Sequence, residues 1–232
     1  MDTKALGLLS SLGAAATGGG IYWAVKDSTK PISQLLSSEK ALLLITHDSD
    51  EKWDAAWKNY RDAHKEGGDT NYKDHDKWGI KGWENKRTVD TAPPEFKEEC
   101  RRQSQLEVYG KDDQKYKDVK AWCTRPKKIS ELLSWEGERV LLNETGDEEA
   151  WGKSWGEYRK RHEKSRQDSS VTYEDSDELS VNQWQTKRSE EQVPQEYKQS
   201  CKTKSGEYIN IEQATEDPTF AKVKKWCTKP KS

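Results

Sequence analysis

Aliphatic residues are scarce in this chain: Ile, Leu, Val and Phe together number 33 of 232 residues, under the roughly one-fifth share below which chains often stay unfolded. An excess of one charge is missing too. Forty basic residues face 42 acidic ones for a net charge of −2, which removes the long-range attraction that nucleic-acid binding relies on. No P-loop, dinucleotide fingerprint or nucleophile elbow is present, so the chain is read as no enzyme and no cofactor is expected. No C-x-x-C pair occurs among the four cysteines, which argues against zinc, and no metal site is expected. What the chain has instead is 11 Trp and 9 Tyr. With balanced charge these argue against disorder and for small aromatic cores under a charged surface.

The longest uncharged stretch is ALGLLSSLGAAATGGGIYWAV, residues 5–25, bracketed by Lys4 and Lys26. As a helix it would cover about 31 Å, the thickness of a bilayer's hydrocarbon core. Tyr22 and Trp23 stand where aromatic rings favour the headgroup level. The stretch is read as a membrane anchor, with a cleaved signal ending near Ala14–Ala16 as the competing reading. Export by either route places the remainder outside the cell, with an inward-facing membrane-tethered scaffold as the alternative.

After Pro31 the chain resembles itself. ISQLLS at Ile32 returns as ISELLS at Ile129. Trp53, Trp57, Tyr60, Arg61 and His64 return 98 residues later as Trp151, Trp155, Tyr158, Arg159 and His162. Trp83, Lys86, Arg87, Pro93, Glu95 and Cys100 return after 101 residues, and VKAWCTRPK at Val119 returns as VKKWCTKPK at Val223, after 104. The growing displacement places short insertions, and therefore loops, between conserved blocks. The expected organisation is an anchor at 1–30, a first unit at 31–128 and a second at 129–232.

Within each unit the spacing predicts mostly α structure. Trp53, Trp57, Tyr60 and His64 fall on one helical stripe, as do Trp151, Trp155, Tyr158 and His162. Asp48 or Ser49, and Thr145 or Asp147, are candidate caps, and Gly67–Gly68 a stop signal. Further helices are expected after Pro93–Pro94 and before Cys123, with a short one at each ISxLLS block capped by Ser33 and Ser130. ALLLI at Ala41 and RVLL at Arg139 are left open between helix and buried strand. Lys65–Lys77 and Glu163–Glu178 read as exposed loops.

Two cysteines per unit in an exported chain suggest one disulfide in each, Cys100 with Cys123 and Cys201 with Cys227, with buried reduced thiols as the alternative. His64 and His162 carry no matched partner that would complete a catalytic dyad, so each stripe is read as core rather than as an open ligand ladder. Lys86–Arg87 and Lys187–Arg188 read as a solvated face rather than an anion site. Asn143-Glu144-Thr145 is a glycosylation sequon in a host with the machinery.

The small-residue anchor, the blocks Phe96–Cys100 and Tyr197–Cys201, and the terminal V-K-x-W-C-T-x-P-K blocks at Val119 and Val223 together resemble paralogous families of uncharacterised proteins from haemotrophic mycoplasmas. The resemblance implies a single-pass surface protein, a membrane-anchored antigen whose partner would be a host-cell surface protein or glycan. It carries over no catalytic residue.

Overall fold

The computed structural model describes residues 28–68, 70–168 and 170–231. The proposed anchor at residues 5–25 lies outside them. No helix among the described residues is long and apolar enough to cross a membrane. The N-terminal half runs β1 (Lys30–Pro31), α1 (Ile32–Ser37), β2 (Leu42–Leu44), α2 (Trp53–Ala63), α3 (Trp83–Lys86), α4 (Pro94–Ser104), β3 (Glu107–Val108), α5 (Gln114–Trp122) and β4 (Thr124–Pro126). The C-terminal half runs α6 (Ile129–Glu136), β5 (Arg139–Leu141), α7 (Glu148–Arg161), β6 (Glu163–Gln167), β7 (Ser170–Tyr173), α8 (Trp184–Lys187), α9 (Gln195–Ser205), α10 (Pro218–Trp226) and β8 (Thr228–Pro230). The protein is mostly helical, and among the described residues the strands form two-stranded antiparallel pairs.

The two ambiguous apolar runs are strands. Leu43 of β2 pairs with Arg125 of β4, and Val140 of β5 with Lys229 of β8. Each short run is thereby fastened to the segment after the second cysteine of its half, a pairing that periodicity over three residues cannot announce. The Lys- and Glu-rich stretch after α7 is no simple loop: β6 and β7 form a hairpin. Val171, Thr172 and Tyr173 supply its β propensity, and the Ser165 and Thr172 hydroxyls meet across it at 2.6 Å. Its counterpart after α2 has only the bridge between Lys65 and Tyr72.

Several caps also differ from expectation. Ser33 and Ser130 lie inside α1 and α6, because Pro31 and Lys128 already occupy the cap positions. At α6 the Glu131 carboxylate accepts the Lys128 N–H at 2.7 Å. Neither Asp48 nor Ser49 caps α2, where Lys52 holds that place and Asp50 accepts its N–H. Asp147 stands at the cap of α7 but accepts the N–H of Asn143 instead of a helical one. Side-chain capping of helical N–H groups falls to Asp113 at α5 and Asp217 at α10. Helix α2 ends at Ala63, ahead of Gly67 and Gly68, which take positive φ in the following turn.

Buried apolar residues form two clusters, one drawn from Ile32 to Cys123 and one from Ile129 to Cys227. The halves meet where β4 runs into α6. Arg125, 9% exposed, donates to Asp50 at 2.7 Å and through both terminal nitrogens to Glu131 at 2.7 and 2.8 Å. Tyr208 donates to Glu51 and lies under the Lys52 ammonium. Main-chain bonds from Ile129 to Glu207 and from Ile209 to Lys127 complete the junction.

Glu39, just past α1, shows how charge substitutes for aliphatic area. Its carboxylate accepts from Lys111, Tyr116 and Lys120 at 2.5 to 2.7 Å. Burial opposes ionisation, yet these three hydrogen bonds outweigh it and hold the group down to about 2. A folded value below the ordinary 4.5 means the contribution is complete above that pH and lost as pH falls through about 2. Unfolding titrated from pH 5 to pH 2 should show Glu39→Gln losing about 1–3 kcal/mol less than wild type over that window.

Candidate functional site

The aromatic stripes are interior. Trp57, Tyr60, Trp155 and Tyr158 have no exposed surface. Helix α2 carries Trp57 stacked on Tyr60 at 5.8 Å and edge-on to Trp83 at 5.9 Å, with Phe96 of α4 closing the group. Helix α7 arranges Trp155, Tyr158, Trp184 and Tyr197 in the same way. Every buried indole N–H of these stripes is spent on a loop carbonyl. Trp53 holds His47, Trp57 holds Val89 and Trp83 holds Lys73; Trp151, Trp155 and Trp184 hold Asn143, Glu190 and Glu174, all between 2.7 and 2.9 Å. The tryptophans therefore serve both as core and as pins for the long polar loops.

At the end of each stripe, Tyr, His and Asp converge, a combination that could in principle move protons. The hydrogen bonds show what it does here. Tyr60 donates its hydroxyl proton to Asp76 and accepts the N–H of Trp78 at 3.0 Å. Asp76 also accepts the N–H groups of Trp78 and Ile80 at 3.0 to 3.1 Å. His64 donates from Nδ1 to the Tyr60 carbonyl at 2.7 Å and accepts the Lys77 N–H on Nε2 at 2.9 Å, which assigns its tautomer. Burial first, then the bond to Asp76, pushes the Tyr60 phenol far above its ordinary range. Tyr158, Asp177 and His162 repeat the network against Glu178, Leu179 and Val181. The Asp oxygens and the His Nε2 hold loop N–H groups, and the Tyr hydroxyl and the His Nδ1 tie them to the helix, so the network fastens the loop to its helix.

Asp76 and Asp177 escaped the sequence reading. Their signal was present: they stand 101 residues apart, the same displacement as Trp83 and Trp184. They were hidden in stretches dismissed for their charge. His47 and His75 are exposed. Lys86 and Lys187 pair with Glu95 and Glu196, while Arg87 and Arg188 donate to the carbonyls of residues 72–73 and 173–174. Disulfides join Cys100 to Cys123 and Cys201 to Cys227, with Cα atoms 5.6 and 5.5 Å apart, linking α4 to the end of α5 and α9 to the end of α10. No group of three metal-ligating side chains occurs among the described residues.

Beside each pinned loop lies an open groove, walled by the residues after the half-buried aspartate and by the helix that carries the first cysteine. In the N-terminal half it measures 450 Å³, between Gly79–Lys81 and α4; in the C-terminal half it measures 510 Å³, between Leu179–Asn182 and α9. The loop turns twice through the left-handed region. Gly79 and Gly82 take those turns first, at φ 68° and 76°, and Ser180 and Gln183 take them second, at 55° and 58°. A side chain there crowds its own backbone, a conformation glycine adopts freely. Ser180→Gly and Gln183→Gly should each raise unfolding free energy by about 0.5–1 kcal/mol in denaturant titrations. No family model, curated protein or solved structure matches the chain.

Proposed function

We propose that this chain is a non-catalytic surface protein: two tandem helical repeats, displayed outside the cell on the anchor at residues 5–25, that meet a host-cell protein or glycan. One observation carries the reading. The buried Trp, Tyr and His of the stripes, the half-buried Asp beside them and the disulfide are the same in both halves, and most other core positions change only between apolar types, as Ile45 to Leu142 and Ile80 to Val181, while most groove-lining residues change. A scaffold that keeps its core and varies its surface suits recognition or antigenic display better than a reaction, which needs a constant set of groups. The paired disulfides suit an oxidising exterior, and the resemblance to surface-protein families of haemotrophic mycoplasmas agrees with it.

The test is protease shaving of intact cells, with immediate thiol alkylation and peptide mapping. Release of fragments from 31–231 carrying both Cys100–Cys123 and Cys201–Cys227 linkages is the expected result. All four cysteines alkylated and all peptides protected would overturn the reading in favour of an inward-facing scaffold.

A further inference from the structure

The groove of the C-terminal half is lined by fewer charged residues than its partner, although Lys204 stands where the N-terminal half has Gln103. Gly79, Lys81, Pro94, Glu98, Glu99 and Arg102 in the N-terminal half correspond, 101 residues on, to Ser180, Asn182, Gln195, Gln199, Ser200 and Thr203. Four charged residues have become uncharged ones that both donate and accept hydrogen bonds. The glycine and the proline have become the same type of residue. In a chain that is 35% charged, this lining has only Glu196 and Lys204 as charged members. Both are engaged, Glu196 with Lys187 at 3.4 Å and Lys204 with Glu207 at 2.9 Å. The Ser180 side chain is kept at a backbone position where the other half has glycine. The lining is therefore neutral, rich in hydroxyls and carboxamides, and 510 Å³ in volume, within the range of small-ligand sites.

We propose that this groove, between Leu179–Asn182 and α9, is a binding site for an uncharged oligosaccharide. Hydroxyl and carboxamide groups match vicinal sugar hydroxyls, since each side of the contact can give and receive a proton. Charged side chains would lose hydration against a neutral ligand without an opposite charge to repay it. An anionic ligand finds no unpaired cation here, because Lys204 is bound to Glu207. A peptide fits less well: the walls are a helix and a loop, with no strand edge to extend. The exposed large apolar side chains, Val89, Tyr109, Trp135 and Ile211, all lie outside the groove and offer no anchor pocket. With hydrogen bonds and no stacked ring, affinity is expected on the order of 1 mM. The proposal deepens the display reading by naming a site and ligand class.

The experiment uses the purified full chain and saturation-transfer NMR with lactose, maltotriose and N,N′-diacetylchitobiose. Sialyllactose, a sulfated heparin disaccharide and an uncharged hexapeptide are run alongside. The comparison protein is the double variant Asn182→Lys with Gln199→Glu, which imports charges that the other half already carries at those positions. The expected result is transfer to at least one neutral sugar, weakened about tenfold or more in the variant, with circular dichroism and both disulfides unchanged. No transfer to any neutral sugar overturns the proposal, as does equal binding by the variant or binding confined to the charged sugars or the peptide. Should the variant misfold, Asn182→Ala and Gln199→Ala separately must each weaken binding at least threefold, or the site is wrong. Failure here with successful shaving of intact cells sinks the groove alone; failure of shaving sinks the display reading alone.

Discussion

Asp76→Ala is expected to destabilise the protein by about 3–5 kcal/mol, although the residue sits in a polar loop that looks dispensable in the sequence. The carboxylate accepts the Tyr60 hydroxyl and the N–H groups of Trp78 and Ile80. Alanine leaves the Tyr60 hydroxyl and the Ile80 N–H without an acceptor, at about 1–3 kcal/mol for each unsatisfied buried group, while the Trp78 N–H keeps the Tyr60 oxygen. The loop from 74 to 82 also loses its tether, so Trp83 and its contact with Trp57 loosen. Asp76→Asn keeps one acceptor oxygen and should cost about half as much. Asp177→Ala should do the same in the C-terminal half, and the two effects should add, because the sites share no partners. Urea unfolding followed by Trp fluorescence measures all four variants. A cost below about 1 kcal/mol for Asp76→Ala would mean that the loop is held by its indole pins alone.

The second large effect is loss of a disulfide. Cys100→Ala with Cys123→Ala opens a loop whose ends are 23 residues apart, and loop-closure entropy puts the loss at about 3.5 kcal/mol. For a half of this size that is a fall of roughly 15–25 °C in the melting temperature. Cys201→Ala with Cys227→Ala should cost nearly the same, because the dependence on loop length is logarithmic and the separations are 23 and 26. Scanning calorimetry with and without reductant tests both. Reduction of the wild type should reproduce the loss of the two double variants combined. Unchanged melting on reduction would show that the aromatic clusters hold each half unaided.

The stripes were legible because helical spacing and large aromatic side chains both survive in a bare sequence. Trp53, Trp57, Tyr60 and His64 could share one face only if the segment were helical. The cysteine pairs were legible because each unit carries two, an even count that in an exported chain points to one disulfide per unit. Asp76 and Asp177 were not, because what they do depends on the Tyr hydroxyl reaching across 16 and 19 residues. The hairpin after α7 was masked by its charge. The short strands β2 and β5 take their conformation from partners 80 or more residues away.

By itself the sequence determined the helical content, the aromatic interior and the internal likeness of its two halves, since periodicity and composition are local properties that each residue carries with it. Only the tertiary structure decided which polar residues are structural and which are free to recognise something else. Asp76 and Asn182 look equally soluble on the page. Folding aims one at a buried hydroxyl and two backbone N–H groups, and leaves the other on the wall of an open groove. A polar side chain's role is set by what the fold places within about 3 Å of it.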